Sequence, residues 1–173
     1  MMDIEDIRLF LLMDENQHAN HWQNVWLMGY PLSQSVVLCK HTPIEERISQ
    51  IQVGFEQCGD AVMIVAHGFA CNAWAEWLFQ SGADLQKRIS GVILAEPDLN
   101  AWSDDDNAPI NRARANFPVA WVMPNQTHIN YPKSKNHAQR LGAKHLIFPK
   151  YHTLNAPLNG WQWGMSLMQD ILL

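Results

Sequence analysis

The amino-acid sequence predicts a three-layer α/β/α sandwich built around a doubly wound sheet of about six mainly parallel strands. The first observation is an alternation along the chain, in which short apolar runs of strand length are separated by segments with helical period. The second is that these runs are apolar on both faces, as in parallel strands that helices cover on each side. With 173 residues, the chain has the length of a single domain, residues 1–173, with one core.

The expected strands are the six apolar runs, and most of the segments between them have the spacing of helices. The strands are predicted at residues 7–13, 36–39, 61–66, 92–95, 119–123 and 145–148. Four helices are predicted near residues 19–27, 72–80, 132–141 and 161–172. The polar stretch 96–117 is expected to be a long connection within the domain, and its acidic run, Asp104 to Asp106, is expected to be solvated.

A fifth helix has the clearest sequence signals and is expected to begin at Pro43, a residue that suits the first helical position. Thr42 can cap the first turn, and Glu45 completes a capping box. One apolar face of this helix is formed by Ile44, Ile48, Ile51 and Phe55. In the last helix of the chain, one apolar stripe is expected to comprise Trp161, Met165, Met168 and Leu172.

The composition narrows the classes of partner. A net charge of −5 gives no reason to expect nucleic acid or an anionic membrane as a partner. The first residues are acidic where a secretory signal is positive, and the apolar run 9–13 is too short to span a bilayer. We therefore expect a cytoplasmic protein that needs no cofactor, either a monomer or a homodimer.

Cysteine and tryptophan usage adds two expectations. The three cysteines are odd in number and lack CxxC spacing, which favours reduced thiols over a disulfide framework. The eight tryptophans are expected to fill the core, to line a cleft or to lie on a contact surface.

The segment AVMIVAHGFACNAW, residues 61–74, has the shape of a nucleophile elbow, in which a buried strand, a sharp turn and a helix follow one another. The elbow pattern G-x-S-x-G needs small residues on both sides of the nucleophile, because the turn is crowded. Ala66 and Ala70 meet that requirement, whereas the central position is Gly68 and carries no side chain. The sequence thus predicts an α/β-hydrolase-like sheet with an elbow that lacks its nucleophile.

Three short motifs make the chain resemble the YdeN-like family of small serine hydrolases, to which retinoblastoma-binding protein 9 belongs. The elbow, residues 67–71 (HGFAC), is similar to the family's His-Ser-Leu-Gly-Cys. Residues 20–23 (NHWQ) match an Asp-His-Trp-Gln stretch after the first strand. Residues 151–156 (YHTLNA) resemble a late Gly-His-x-Asn-Ala motif with one extra residue. The order of the motifs extends the resemblance over the whole chain.

The resemblance implies a degenerate catalytic triad. The family's serine falls on Gly68, its acid on Gln126 and its histidine on His152. Glycine offers no oxygen to attack a carbonyl, so no acyl-enzyme can form. A glutamine cannot stabilise an imidazolium as a carboxylate does. His152 is therefore the only triad member that remains.

The resemblance also implies a changed oxyanion hole. The Phe69 amide is expected to be one of its donors, but Asp14 and Glu15 stand in place of the glycine-rich loop after the first strand. Their carboxylates would repel a developing negative charge. His67 and Cys71 have counterparts in the family, so we expect a structural role for His67 and a packing role for Cys71.

Three functions are compatible with these residues. The first is a catalytically inactive or impaired relative that binds a small molecule or a protein partner at the remnant cleft or through a tryptophan-bearing surface. The second is a residual or altered ester hydrolase in which His152 activates water, with the Phe69 amide stabilising the oxyanion. The third is a metal site at the same edge of the sheet. Its candidate ligands are Glu15, His18, His67, Asp98, His128 and His152.

Overall fold

The structure is a computed structural model that describes residues 6–15, 17, 21–123, 131–147 and 161–172, without the side chains of residues 162 and 163. Six parallel strands form one sheet in the order β2-β1-β3-β4-β5-β6. The strands are β1 (Arg8–Asp14), β2 (Ser33–Leu38), β3 (Val62–His67), β4 (Ile89–Ala95), β5 (Val119–Val122) and β6 (His145–Ile147). The predicted parallel sheet is confirmed, although β2 and β4 begin earlier than their apolar runs.

Helices cover both faces of the sheet and complete the predicted three layers. They are α1 (Trp22–Gly29), α2 (Ile44–Glu56), α3 (Phe69–Gln80), α4 (Ala83–Gln86), α5 (Pro109–Arg112), α6 (Tyr131–Leu141) and α7 (Gln162–Leu172). The single-turn helices α4 and α5 were not predicted from the sequence. None of the helices in the described ranges is long and apolar enough to cross a membrane.

The alternation of β1 shows how the two cores are separated. Phe10 and Leu12 point into the core under α2, α3 and α6, whereas Leu9 and Leu11 point into the core under α1 and α7. All four side chains are at most 1% exposed. Full burial of each such side chain stabilises the fold by about 1.5–3 kcal/mol. This two-sided burial is the reason that the strands could be recognised as continuous apolar runs.

The predicted capping box of α2 is wrong. Pro43 takes the N-cap position itself, with φ −55° and ψ 148°, and no side chain caps the helix. Instead, the Arg47 guanidinium donates to the carbonyl oxygen of Thr42. The helix thus begins at Ile44, and the Thr42 carbonyl accepts its hydrogen bond from the buried Arg47 side chain.

Tryptophans fill the interior rather than a surface. The seven whose side chains the structure describes are at most 5% exposed, so no tryptophan-bearing contact surface exists among them. The predicted stripe of α7 is partly wrong, because Met165 is 44% exposed while Ile171 is buried. The cysteines Cys39, Cys58 and Cys71 are free, as predicted.

The acidic run in the connection before β5 is exposed, as predicted, and two of its members also form ion pairs at the surface. Asp104 pairs with Lys133 of α6 at 3.2 Å, and Asp106 pairs with Arg140 at 3.0 Å. These exposed ion pairs link the connection to α6, and each contributes only about 0–1 kcal/mol to the stability of the fold.

The strand order places a switch point between β1 and β3. From β1 the chain crosses to β2 on one side, and it then returns to build β3 and the remaining strands on the other side. In open parallel sheets, ligands bind in the crevice outside the carboxyl ends of the strands at such a point. The residues at these two strand ends, Asp14 and His67, therefore mark the place of a site.

Candidate functional site

The elbow at the end of β3 has the predicted geometry. Between β3 and α3, Gly68 adopts φ 59° and ψ −132°, a left-handed conformation that disfavours side chains. Its amide donates to the Ala95 carbonyl at 3.0 Å, and its carbonyl accepts from Cys71 N at 3.1 Å. The turn is thus held from both sides and presents position 68 at the carboxyl edge of the sheet.

The Asp14 carboxylate occupies the backbone donors beside this elbow. Its Oδ2 atom accepts a hydrogen bond from Phe69 N at 3.0 Å, and its Oδ1 atom accepts one from Glu15 N at 2.8 Å. In α/β-hydrolases the residue after the nucleophile supplies one oxyanion-hole amide, and a loop after an earlier strand supplies another. An internal anion is therefore bound where the fold otherwise binds the oxyanion of a reaction intermediate.

The same carboxylate also fills the space of the missing side chain. A Cβ atom built on Gly68 would lie 2.5 Å from Asp14 Oδ2, much closer than van der Waals contact. Neither a serine nor an alanine fits at position 68 while Asp14 keeps this position. The residues at positions 14 and 68 are thus matched to each other.

The loop after β1 is tied to α1 through a chain of polar contacts. Asp14 N donates to Gln17 Oε1 at 2.7 Å, and Gln17 Nε2 lies 3.0 Å from His21 Nδ1. His21 Nδ1 accepts from Gln23 N and caps α1. The buried Gln23 amide donates to the carbonyls of Leu12 and Val65, which belong to β1 and β3. His21 and Gln23 therefore hold the two strands of the switch point and the start of α1 together.

His67 and Glu96 form a second polar pair at the same edge. His67 Nε2 lies 3.3 Å from Glu96 Oε2, and the His67 side chain is 19% exposed. The centroid of the His67 ring lies 4.5 Å from that of the His21 ring, and the His67 and Trp22 rings are perpendicular and in edge contact. These contacts give His67 a packed position, which is compatible with a structural role. Its Nδ1 atom is buried and has no hydrogen-bond partner among the described residues.

Glu96 is a site residue that the sequence reasoning did not single out. It follows β4 directly and has a positive φ of 50°, which is uncommon for a residue other than glycine. Its amide still bonds to the Val122 carbonyl at 3.0 Å, so the strand ladder holds the strained residue in place. The only sequence signal was its position at the end of a strand, immediately before Pro97.

Phe69 and Cys71 are both buried in the first turn of α3. Two cations lie over the Phe69 ring, with the Arg47 guanidinium carbon 5.1 Å and Lys40 Nζ 6.0 Å from the ring centroid. Burial raises the pKa of the Cys71 thiol well above its usual value. A thiol must ionise to act as a nucleophile. The predicted packing role of Cys71 therefore agrees with its surroundings.

Asp98 stabilises the connection after β4. Its Oδ2 atom pairs with Lys40 at 2.7 Å, and the hydrogen bond to Asp98 raises the pKa of Lys40. Its Oδ1 atom accepts from the amides of Asn100 and Ala101. Both carboxylate oxygens are thus engaged in structural contacts.

The metal hypothesis finds no support in the part of the chain that the structure describes. There, no three His, Cys, Asp or Glu side chains are grouped so that they could hold a metal ion. The predicted ligands His18, His128 and His152 lie outside the described residues, as does Gln126. The roles of Gln126 and His152 stay predictions.

The fold and the elbow together define the α/β-hydrolase class. The family model described as "Serine hydrolase" matches residues 14–169, and the chain belongs to this serine hydrolase family. The resemblance expected from the three motifs is therefore confirmed at the level of the family. No curated protein matches the chain in sequence.

Two solved structures share the fold. A putative YdeN-like hydrolase from Pectobacterium atrosepticum superposes with a TM-score of 0.75 at 18% identity, over 96% of this chain and 90% of that one. The monoacylglycerol lipase of Paleococcus ferrophilus gives a TM-score of 0.61 at 12% identity, over 95% of this chain and 93% of that one. At these identities the likeness concerns the fold, and the chemistry has to be argued from the residues of this chain.

Proposed function

We propose that this member of the serine hydrolase family is catalytically inactive or strongly impaired, and that it binds a small molecule or a segment of a protein partner at the remnant cleft. The observation that carries the proposal is the Asp14 carboxylate, which accepts the Phe69 and Glu15 amides beside the nucleophile-free Gly68. The proposal rests on this geometry and on the chemistry of the residues, since family membership alone does not decide activity.

The first obstacle to catalysis is the missing nucleophile, because Gly68 has no atom that could form an acyl-enzyme. The second is the anion at the oxyanion position. An oxyanion about 4 Å from a carboxylate is destabilised by about 4 kcal/mol at an effective dielectric constant of about 20. That amount lowers a rate about 10³-fold. Because Asp14 already accepts from the Phe69 amide, this donor does not stabilise an oxyanion. The loss of one such donor lowers kcat by about 10²–10³-fold in comparable sites.

The cleft suits a ligand that brings hydrogen-bond donors or positive charge. Asp14, Glu15 and Glu96 place carboxylates at the ends of β1 and β4, and Glu15 is exposed. The two nearby cations are already paired, Lys40 with Asp98 and Arg47 with Glu76. An ammonium group can approach these carboxylates without displacing Asp14 from its amides, whereas an anionic ligand meets like charge.

A fluorophosphonate probe, which labels activated serines, tests the catalytic part of the proposal. We expect no labelling of the unmodified protein or of Gly68→Ser alone, because Asp14 obstructs the new side chain. We expect labelling of the variant with Asp14→Gly, Gly68→Ser and Gln126→Asp, and its loss when His152→Ala is added. The proposal is contradicted if the probe labels the unmodified protein. It is also contradicted if the probe labels Gly68→Ser alone as strongly as it labels the triple variant.

The binding part is tested with two probes of similar shape and opposite charge, benzylammonium and benzoate. We expect benzylammonium to shift the Glu15 and Phe69 amide resonances in NMR spectra, and benzoate to leave them unchanged. Asp14→Asn, which keeps an acceptor oxygen but removes the charge, should weaken the response. A larger response to benzoate, or no response to either probe, contradicts a cleft for donors and cations.

A further inference from the structure

His21 lies where the loop after β1 meets the start of α1. Its Nδ1 atom is 3.0 Å from Gln17 Nε2 and 3.2 Å from the amide nitrogen of Gln23. The Gln23 amide is one of the first donors of the helix, which an N-cap residue satisfies. The orientation of the Gln17 side chain is also determined, because Asp14 N donates to its Oε1 atom at 2.7 Å. The NH₂ group of Gln17 is therefore the group that faces His21.

Two donors at one ring nitrogen determine the protonation state of His21. A neutral imidazole has one nitrogen that donates and one that accepts, whereas both nitrogens of an imidazolium donate. Because Nδ1 accepts here, the ring is neutral and carries its proton on Nε2. Protonation would place an N–H group against two other N–H donors. The positive charge would also lie at the N-terminus of α1, where the helix dipole disfavours it.

Among the described residues, the titratable groups near His21 come from β3, from the end of β4 and from the loop after β1. The His67 ring of β3 has its centroid 4.5 Å from that of the His21 ring, and Glu96 pairs with His67 at 3.3 Å. The loop after β1 contributes the carboxylates of Asp14 and Glu15. A proton on His67 opposes a second proton on His21, whereas the three carboxylates favour it.

The contacts of His21 lead to the elbow through Asp14. Gln17 holds the Asp14 amide, and Asp14 Oδ2 accepts from Phe69 N at 3.0 Å. Phe69 is the first residue of α3, so its amide has no acceptor within the helix. Whether this donor is closed therefore depends on where the loop after β1 places the Asp14 carboxylate.

We propose that neutral His21 is a positioning residue that keeps Asp14 on the Phe69 amide, and that protonation of His21 releases this contact. Once Nδ1 carries a proton, it accepts from neither Gln17 nor Gln23, and the loop after β1 loses its link to α1. Asp14 then leaves the Phe69 amide, which becomes available to a ligand. The inference rests on the proposed function and adds a pH-dependent control of the same cleft.

Hydrogen exchange measured by NMR tests this release without a ligand. Protection factors, which are corrected for the pH dependence of free amides, are compared at about pH 8 and about pH 5, the range in which imidazoles take up protons. The Phe69 amide should lose about tenfold in protection, the loss that corresponds to about one net hydrogen bond. The Asp14 amide should lose protection with it. The Gly68 amide is the internal control, because it donates to the Ala95 carbonyl at 3.0 Å and should keep its protection.

Two variants separate the effect of the proton from a merely structural role of His21. In His21→Asn, the side-chain oxygen takes the place of Nδ1, accepts from the Gln23 amide as a good N-cap and does not titrate. The Phe69 amide of this variant should stay protected at both pH values, although Asp14 itself is unchanged. The matched control His67→Gln removes the neighbouring imidazole and should keep the pH dependence.

The proposal is wrong if the Phe69 amide of the unmodified protein keeps its protection at the lower pH. It is equally wrong if His21→Asn loses protection as the unmodified protein does.

Nitrogen NMR of the His21 ring gives a second readout that needs no variant. At about pH 8 the ring should carry its proton on Nε2 alone, and a proton on Nδ1 at that pH overturns the proposal. None of these measurements involves a ligand or turnover. A failure here, with the unmodified protein still unlabelled by the fluorophosphonate, refutes the role of His21 and leaves the proposed function standing.

Discussion

The match between Gly68 and Asp14 predicts a strong energetic coupling between the two positions. Gly68→Ala places a Cβ atom on a backbone with φ 59° and 2.5 Å from Asp14 Oδ2. The backbone strain costs about 1–3 kcal/mol, and the forced displacement of the Asp14 carboxylate costs a further ~1–3 kcal/mol. Asp14→Ala removes two amide hydrogen bonds to a charged acceptor and costs about 1.5–3 kcal/mol. In the double variant the contact is absent, so only the strain and the lost hydrogen bonds remain.

Urea denaturation followed by circular dichroism gives the free energies of unfolding of the four proteins in this cycle. The double variant should be more stable than the sum of the single effects predicts, by about 1–3 kcal/mol. Gly59→Ala is the matched control, because Gly59 has φ 79° and nothing lies within 4 Å of its built Cβ atom. Combined with Asp14→Ala, it should be additive. Additivity within about 0.5 kcal/mol for the Gly68 pair would refute the reasoning.

Three further predictions concern buried groups away from the elbow. Burial lowers the pKa of His137 to about 4. In the unfolded chain the pKa of this histidine is about 6.5. The free energy of unfolding should therefore fall as the pH is lowered from about 6.5 to about 4, by up to about 1.4 kcal/mol per pH unit. Urea titrations at several pH values should show that His137→Leu lacks this pH dependence, and an unchanged dependence contradicts a lowered pKa of His137. Arg47→Met should cost about 3 kcal/mol because it leaves the Glu76 carboxylate, whose side chain is only 13% exposed, without its partner at 3.0 Å. Adding Glu76→Leu should restore much of the loss in thermal unfolding, and a double variant as unstable as the single one speaks against an ion-pair effect. In native protein, an aromatic disulfide reagent should modify Cys39 alone, with the two buried thiols reacting only after unfolding; rapid reaction of all three contradicts the burial.

Much of the fold could be predicted because its strands are buried on both faces. Val62 to Ala66 in β3 are fully buried, and this environment leaves a continuous apolar run in the sequence. The first half of β2 was missed for the opposite reason. Ser33 and Ser35 lie at the edge of the sheet, where polar side chains are compatible with a strand. Short helices such as α5 were missed because one turn gives no period.

The candidate site was predicted in its local parts and missed in its long-range contacts. Gly68 was recognised from the residues beside it, since an elbow is a feature of consecutive residues. The contact between Asp14 and the Phe69 amide joins residues 55 apart in the sequence, and only the parallel pairing of β1 with β3 brings them together. The sequence did predict that a carboxylate after β1 would oppose an oxyanion. It could not show that the carboxylate occupies the donors itself.

The pair of His67 and Glu96 was missed for a similar reason. Its members follow β3 and β4 and are 29 residues apart. The failed capping box of α2 is a different case, because Thr42 has a suitable local pattern. The Arg47 guanidinium binds the Thr42 carbonyl while it also pairs with Glu76 of α3, so the start of the helix depends on a side chain that a tertiary ion pair holds in place.

The hydrolysis of p-nitrophenyl acetate tests most directly whether this elbow has lost its catalytic function. The measurement compares the unmodified protein with its His152→Ala variant at equal concentration. With Gly68 at the nucleophile position and Asp14 on the Phe69 amide, both proteins should release p-nitrophenol at the rate of buffer alone. Turnover by the unmodified protein that disappears in the His152→Ala variant would contradict a dismantled site and would assign the activity to His152.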